Sequence, residues 1–430
     1  MSVAESPAAQ RGWRLFGQWA ALGALVGVAC GVASAAFLAL LGLVTHFREA
    51  HSGIVYALPL AGLCIGVIYE RWGTPIRGGN NLIIDTIHTV GDGAAPIPLR
   101  MVPMVFVGTV LTHLFGGSAG REGTAVQMGA SLGDAIAHRF RADRPLRRVV
   151  IAAGIAGGFG SVFGTPLAGL IFGLEVLAIG RMEVEALVPA LVASLVGDRV
   201  TRGLGIVHTA YPALSPVAFS LSLGAKLLVM AGAMALATVT FIELTHFIKT
   251  RMERLVPRLP LRMLVGGAAV VLLWRLVGSD DYLGLGVPVI VRAFGDPRLP
   301  VYAFAAKIVF TAVTLGCGFL GGEVTPLFFI GATLGNVAAR LLGLPLGLGA
   351  ALGLAAVFGA AANTPLALSI MVVELVGISA LPHVLIVTLA TYLLTGHRGI
   401  YPAQRLHRKK HGPALAQPVP LREYRRNQKT

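Results

Sequence analysis

Long apolar stretches make up most of this chain, and several of them are interrupted. A helix needs about 20 apolar residues to cross a bilayer core, and the candidates are the segments at 19–44, 54–69, 100–115, 149–163, 186–196, 217–247, 263–277, 302–319 and 384–394. Between them lie shorter apolar pieces, broken by glycine and proline, at 78–90, 120–137, 164–180, 322–340 and 363–376. Irregular backbone at membrane depth persists only where protein buries it or where it lines a cavity. The pattern therefore predicts a transporter or channel that contains half-helices.

The composition excludes an ordinary water-soluble protein. Only 13% of the 430 residues are charged and 55% are hydrophobic, whereas soluble domains carry about 25% charged residues. The net charge is nevertheless +15. A basic nucleic-acid-binding patch needs a solvated surface, so nucleic acid is not an expected partner. We expect an all-α polytopic membrane protein, in contact with membrane lipids, whose positive charges mark one side of the bilayer.

Two pairs of similar segments indicate an internal repeat. The segments 164–175 and 363–374 share Thr, Pro, Leu, Ala, Ile and Glu at equivalent positions, and 129–133 resembles 331–335 in the same way. Both pairs are separated by about 200 residues. Chance similarity in apolar sequence is the alternative, but two ordered matches at nearly one spacing favour a repeat.

The charges predict how the two repeats are oriented. The first long helix is followed by one basic residue, Arg48, beside Glu49, whereas its counterpart at 217–247 is followed by a strongly basic segment. Because basic loops stay cytoplasmic, the matching helices are expected to run in opposite directions, as in an inverted-topology repeat. The segment 398–429 carries nine Lys and Arg against one Glu.

These charges lead to a division of the chain into four parts. We expect a cytoplasmic N-terminal segment at 1–14, a first membrane repeat at 15–206, a second, inverted repeat at 207–401 and a basic cytoplasmic tail at 402–430. Both termini would then be cytoplasmic.

Four glycine-rich or polar breaks are candidates for helix N-termini inside the membrane. They lie at 78–81, 120–124, 321–326 and 399–402. A helix N-terminus has unpaired N–H donors and a partial positive charge, which suits an anion. Glycine pairs also let membrane helices pack closely, and this alternative is open for each break taken alone.

Taken together and in order, these motifs resemble the CLC family of anion channels and proton-coupled anion transporters, over roughly 13–401. The sequence GREG at 120–123 matches the family's gating-glutamate motif, and GEVTP at 322–326 stands where the family has Gly-x-Phe-x-Pro. GGN at 78–80 stands where a Gly-Ser-Gly-x-Pro motif is usual, and Tyr401 falls on the central tyrosine. The resemblance implies a CLC-type inverted-topology repeat with broken helices, assembled as a homodimer with one pore per subunit.

Departures from the usual motifs resemble the fluoride-exporting branch of this family. Asn80 replaces the pore serine, Thr124 replaces a proline, and Thr325 belongs to an altered Phe-x-Pro motif. Val176 stands where chloride exchangers carry an intracellular proton glutamate. The resemblance implies fluoride export by fluoride/proton antiport across a prokaryotic plasma membrane. A chloride channel or chloride/proton exchanger of the same fold is the alternative.

Glu122 is the strongest candidate for a residue that takes part in the transport mechanism. An ionisable residue inside the membrane is costly and is functional by default. At the head of a helix its carboxylate resembles an anion, so it can occupy an anion site and be displaced once it is protonated. Static pairing with Arg121 is the alternative.

The anion-binding candidates come from the same breaks. Fluoride is small and strongly hydrated, so a site for it must supply strong hydrogen-bond donors. The amide of Asn80 and the hydroxyl of Thr325 are such donors, although Asn also caps helices, Asn81 can replace Asn80 in either role, and Thr can simply pack. The family motifs extend this candidate site to a set of neighbouring residues: Gly120, Arg121, Gly123, Val324 and Tyr401.

Two further candidates have open alternatives. The phenol of Tyr401 can point at the same centre, but Tyr is also common at membrane interfaces. Glu323 is a candidate second proton site in place of the missing relay, or it forms a salt bridge with Arg77 or Arg121. Glu175 and Glu374 end the two matching segments, which favours a shared structural role.

An enzyme is the rival from another class, and nothing in the sequence favours it. An intramembrane enzyme would need a nucleophile–base pair or a metal cluster, and His113 has no such partner motif nearby. No Walker loop or HExxH motif is present, and the three cysteines have no ligand spacing. We therefore expect no cofactor and no metal, with fluoride and protons as the transported species.

Overall fold

The computed structural model describes residues 7–89 and 95–428, and only the backbone of residues 7–14. The first half of the chain folds into helices that we label α1 (Pro7–Ala50), α2 (Leu58–Trp72), α3 (Asn80–Thr89), α4 (Met101–Leu114), α5 (Glu122–Arg139), α6 (Arg144–Phe163), α7 (Pro166–Glu175) and α8 (Leu187–Gly203), with a short strand β1 (Ala178–Ile179) between α7 and α8.

The second half continues with a similar series of helices. These are α9 (Leu221–Leu255), α10 (Leu259–Val277), α11 (Val287–Arg292), α12 (Ala303–Gly316), α13 (Val324–Leu342), α14 (Leu346–Ala362), α15 (Pro365–Val376) and α16 (Leu381–Leu394). The tail then forms strands β2 (Arg405–Arg408) and β3 (Ala414–Pro420) and a last helix, α17 (Leu421–Asn427).

Six helical segments in the described part of the chain are long and apolar enough to cross a membrane. They are Leu15–Ala50, Ser52–Trp72, Arg144–Phe163, Leu221–Leu255, Leu259–Val277 and Val324–Leu342. Shorter apolar helices, among them α4, α7, α12, α14 and α15, accompany them. The predicted mixture of full and interrupted helices is confirmed.

Equivalent helices of the two halves pack in equivalent ways. In the first half, Gly129 of α5 faces Gly154 of α6 so closely that a Cβ on either residue would meet the other backbone. In the second half, Gly331 of α13 and Gly353 of α14 face each other in the same manner. Without side chains at these positions the helix axes approach closely, which is how helices associate where lipid supplies no hydrophobic driving force. This packing supports the internal repeat, whose boundaries at 15–206 and 207–401 stay a prediction.

Two buried or half-buried carboxylates relate α7 to α15. Glu175, the last residue of α7, accepts hydrogen bonds from the N–H groups of Leu366 and Ala367 at 3.2 and 2.8 Å, in the first turn of α15. Glu374, near the end of α15, accepts from the N–H groups of Leu167 and Ala168 at 3.0 and 2.7 Å, in the first turn of α7. Each helix therefore ends where the other begins, so this equivalent pair runs antiparallel, as an inverted repeat requires.

This reciprocal capping leads to a prediction about stability. Replacing Glu175 by Gln removes the charge that stabilises the α15 N-terminus, and we expect a loss of about 1–3 kcal/mol of folding free energy. The measurement is the midpoint of thermal denaturation in detergent. Glu374→Gln is the matched variant and should lower the midpoint by a similar amount, because it removes the same contact from α7. An unchanged midpoint in both variants would contradict the capping role.

The structure changes two expectations about where elements begin and end. Residues 7–14 belong to α1, which begins at Pro7, so the predicted polar N-terminal segment is partly helical; residues 1–6 lie outside the described chain. The basic residues after 217–247 are not a loop, because α9 continues to Leu255 and α10 begins at Leu259. Lys249, Arg251 and Arg254 therefore extend α9 beyond its apolar part.

The fourth predicted break does not lead into a membrane helix. After Tyr401 the chain turns and enters β2, which pairs in parallel with β1 and antiparallel with β3. The tail at 402–428 is thus a small folded element, and the fold is all-α apart from this sheet; Lys429 lies outside the described chain. Its basic side chains find acidic partners, with Arg422 on Asp85 of α3 at 2.8 Å and Arg425 on Glu243 of α9 at 2.6 Å.

Candidate functional site

The two motif loops of the halves are hydrogen-bonded to each other. The N–H of Gly120 donates to the carbonyl of Gly322 at 2.6 Å, and the N–H of Gly322 donates to the carbonyl of Gly120 at 2.8 Å. A Cβ on Gly120 would lie 2.9 Å from the Gly322 oxygen, so only glycine permits this approach. The contact brings together the N-termini of α5 and α13, which begin two residues later in each case.

Glu122 lies on the N-terminus of α13. Its side chain is fully buried, and its two carboxylate oxygens accept hydrogen bonds from the Thr325 hydroxyl, each at 2.6 Å. The N–H of Thr325 donates to the same carboxylate at 3.1 Å. The carboxylate is thus bound by a helix N-terminus and a hydroxyl, which is the arrangement expected for a small anion.

Arg121 completes this set of donors. Its Nε lies 3.2 Å from one oxygen of Glu122, and its backbone N–H donates to the other oxygen at 3.2 Å. The ion pair between Glu122 and Arg121 therefore exists, but Thr325 supplies further donors to the same carboxylate. The carboxylate accepts from four donors in all, two from Thr325 and two from Arg121.

A cavity of about 460 Å³ lies next to this carboxylate. The candidate residues Asn80, Asn81, Glu323 and Tyr401 line it, and so does Thr124 in the first turn of α5. Val324 is buried at the start of α13, between Glu323 and Thr325. The structure therefore brings the residues predicted from separate breaks to one place, with Glu122 buried beside the cavity rather than lining it.

The two asparagines differ in their contacts. The side-chain oxygen of Asn81 accepts a hydrogen bond from the N–H of Ala403 at 3.0 Å, so this residue holds the start of the tail. Asn80 lies close to Gly123, and its side-chain oxygen is buried with no hydrogen-bond partner in the described part of the chain. The unpaired oxygen is an acceptor and would not bind an anion, so the donor that Asn80 offers to an anion in the cavity is its N–H₂ group.

The structure excludes the alternative roles of Tyr401 and Glu323, a membrane-interface position and a salt bridge. Tyr401 is only 3% exposed, so it is not a residue of a membrane interface. Glu323 is half-buried beside the N-terminus of α13, and neither Arg77 nor Arg121 is within ion-pair distance of it among the described residues. Both side chains face the cavity instead.

Several polar residues of the cavity were not identified from the sequence. Gln127 follows Gly123 by one helical turn on α5 and lies next to Gly79. Thr109 of α4 is hydrogen-bonded to Thr124 at 2.7 Å. A polar residue one turn after a motif glycine, on the same helix face, is the signal that would have identified Gln127; Thr109 has no such signal. In the described residues no group of three or more His, Cys, Asp or Glu could hold a metal.

Known proteins resemble this chain over most of its length. The family model described as "Voltage gated chloride channel" matches residues 61–396. The chain is 48% identical to the "Chloride/fluoride channel protein" of Pseudomonas syringae pv. tomato over 410 residues, which cover 94% of this chain and 90% of that protein. It is 28% identical to the "H(+)/Cl(-) exchange transporter ClcA" of Vibrio cholerae, over 73% of this chain and 71% of that protein.

Solved structures are similar over nearly the whole chain. A crystal structure described as a CLC-type fluoride/proton antiporter matches with a TM-score of 0.87 and 36% identity, covering 90% of this chain and 98% of that one. A cyanobacterial Cl⁻/H⁺ antiporter matches with a TM-score of 0.75 at 18% identity, over 88% of this chain and 94% of that chain, which shows the shared fold alone.

Proposed function

Because this chain belongs to the voltage-gated chloride channel (CLC) family, and is therefore an integral, multi-pass membrane protein that transports ions, we propose that it exports fluoride in exchange for protons. The observation that carries the proposal is the Glu122 carboxylate, bound by the N–H and hydroxyl of Thr325. A carboxylate that occupies anion donors and can also take up a proton connects the two transported species at one position. The 36% identical neighbour described as a fluoride/proton antiporter supports the same conclusion.

The exchange follows from competition for the same donors. While Glu122 is ionised, its carboxylate occupies the donors of Thr325 and Arg121. Protonation removes its charge, weakens these hydrogen bonds and leaves the donors to fluoride. Fluoride then has to be replaced by the carboxylate again, which requires loss of the proton. Anion movement in one direction is thereby coupled to proton movement in the other.

The proton needs a route to the cavity, and Glu323 is the residue that we propose for it. Val176 cannot carry a proton at the position where chloride exchangers have a glutamate. Glu323 lines the cavity one residue before α13, two residues from Thr325. A carboxyl group there can receive the proton from Glu122 and release it to water in the cavity.

Donors around the cavity suit a small, strongly hydrated anion. We propose that fluoride passes the Asn80 amide, the Thr325 hydroxyl and the Tyr401 phenol, which together replace water molecules of its hydration shell. The glycines Gly120 and Gly123 let the backbone approach the ion.

We also propose how the protein is oriented in the membrane and how it assembles. The basic side chains at the end of α9 and in the tail are expected on the cytoplasmic side, so both termini would be cytoplasmic and the cavity would open to the cytoplasm of a prokaryotic cell. We propose a homodimer with one pore in each subunit. Relatives that are channels and transporters support a protein without enzymatic activity.

A chloride channel or chloride/proton exchanger is the second candidate. The 28% identity to a protein described as an H(+)/Cl(-) exchange transporter favours it, and the name of the 48% identical relative includes both chloride and fluoride. Asn80, Val176 and Thr325 argue for fluoride instead, because they replace residues typical of chloride exchangers.

Anion efflux from proteoliposomes distinguishes these candidates. Purified protein is reconstituted in liposomes loaded with either fluoride or chloride, and a pH electrode records proton movement alongside anion efflux. We expect fluoride efflux accompanied by proton uptake and little chloride efflux. Rapid chloride efflux without proton movement would overturn the antiport proposal.

A further inference from the structure

The cavity beside Glu122 has a charged mouth that the exchange mechanism does not use. Three basic residues from three different elements line it: Arg77 before α3, Lys249 near the end of α9 and Arg262 in the first turn of α10. Arg77 and Lys249 are exposed, so the cavity opens to solvent between them. Lys249 and Arg262 lie on consecutive helices, whereas Arg77 comes from the first half of the chain and reaches the same cavity through the packing of the helices.

Arg262 is the most deeply placed of the three. Only 13% of its side chain is exposed, and it extends over Gly318, where a Cβ would lie 3.8 Å from both its Nε and its terminal Nη2. Its Nε is buried and has no hydrogen-bond partner within the described residues. Its one acidic neighbour in reach, Glu253, is 4.0 Å away and half-exposed. A buried guanidinium donor without a partner, facing a cavity, favours an anionic ligand.

The acidic residues of the same cavity limit how strongly an anion is held. Glu70 and Glu253 are exposed at the mouth, and Glu323 lies further inside. The formal charges of these three basic and three acidic groups cancel, so the cavity as a whole does not bind anions strongly. Lys249 and Arg262 lie beside the Gly318–Gly322 loop that leads to α13, and with Glu253 as their acidic neighbour they leave a net charge of +1 there. Such a local charge raises the concentration of a passing ion without holding it for long.

We propose that Arg262, together with Lys249, forms an anion-collecting site at the cavity mouth, which takes small inorganic anions from solvent before they reach the donors of Thr325. The site recognises charge and not the identity of the halide, so selectivity stays with the deeper donors. The inference rests on the proposed transport function. Lys249 and Arg262, which the sequence connects only with membrane topology, thereby have a role in transport.

Substitution of Arg262 tests this site. In Arg262→Gln we expect the KM for the transported anion to rise about three- to tenfold, because one nearby unit charge is lost. The maximal rate and the number of protons moved per anion should not change, since Gln leaves the Glu122 and Thr325 contacts intact. The rise in KM should shrink when ionic strength is raised with a salt of an impermeant organic anion. Arg262→Lys should restore most of the wild-type KM.

Two matched variants make the result specific. Arg254→Gln removes an equally basic side chain that is exposed on α9 and does not line the cavity, and its KM should equal that of wild type. Glu253→Gln removes an acidic group at the mouth and should lower the KM. Equal KM values for wild type and Arg262→Gln would overturn the proposal, as would a rise that is insensitive to ionic strength. The anion used is whichever one wild-type protein transports, so an error in the fluoride assignment appears in the wild-type protein and is distinguishable from failure of this site.

Discussion

Proton movement coupled to fluoride is expected to disappear when Glu122 is replaced by Gln. The substitution keeps the shape of the side chain but removes its ability to take up and release a proton. In proteoliposomes with a fluoride gradient, we expect proton uptake to fall by about two orders of magnitude or more, to the leak of protein-free liposomes. The pH electrode measures this directly.

The size of this effect follows from the contacts of the carboxylate. Glu122 is fully buried and is bound by Thr325 and Arg121, so no water molecule or neighbouring acid can take its place at those donors without a rearrangement. Gln presents an amide that donates as well as accepts, so it also competes poorly with fluoride for the same positions. Both effects uncouple the proton from the anion.

A carboxylate away from the cavity provides the control. Glu423 is exposed in the tail helix α17, and Glu423→Gln removes one negative charge in the same way. This variant should keep wild-type proton uptake. Proton uptake that is undiminished in Glu122→Gln would exclude Glu122 as the coupling residue, and attention would turn to Glu323.

The second large effect is expected for the selectivity of Thr325→Val. Valine has nearly the shape of threonine but no hydroxyl, so the variant loses the donor that lies 2.6 Å from the Glu122 oxygens. Loss of a hydrogen bond to a charged group costs about 1.5–3 kcal/mol, and the smaller, more strongly hydrated ion depends on it more. We expect the preference for fluoride over chloride to fall about tenfold or more, measured as the ratio of initial efflux rates.

Thr325→Ser is the matched variant, since it keeps the hydroxyl and removes only a methyl group. Its preference should stay close to wild type. If Thr325→Val and wild type show the same ratio of fluoride to chloride efflux, the Thr325 hydroxyl does not select the ion, and the Asn80 amide becomes the main candidate for selectivity.

Much of the site could be predicted from the sequence because its residues lie in local motifs. Glu122 and Thr325 each occupy the first turn of a helix that begins two residues after a motif glycine. Glycine, proline and a charged residue in an apolar context are unusual enough to mark such a position without knowledge of the fold. Their meeting was an expectation of the family resemblance, and the Gly120–Gly322 hydrogen bonds are its structural basis.

Other parts were not predictable, because they depend on contacts between distant segments. Nothing in the local sequence distinguishes Asn80 from Asn81; the difference arises because Ala403, more than 300 residues away, hydrogen-bonds to Asn81. The segment after Tyr401 resembles the other breaks, yet it enters a strand, because β1 supplies a partner for it. Arg262 belongs to a basic segment that by itself indicates only membrane topology. It lines the cavity only because α10 packs beside it.

By itself, the sequence determined that this chain is a helical membrane protein with two related halves and a buried acid at a helix start. These properties depend on hydrophobicity, charge and backbone preference, which act over a few neighbouring residues. Only the tertiary structure decided which donors hold that acid, which of the two asparagines is already hydrogen-bonded to the tail and which basic residues line the mouth of the cavity. Hydrogen bonds and ion pairs act over a few ångströms, so their partners are known only once distant helices are packed together.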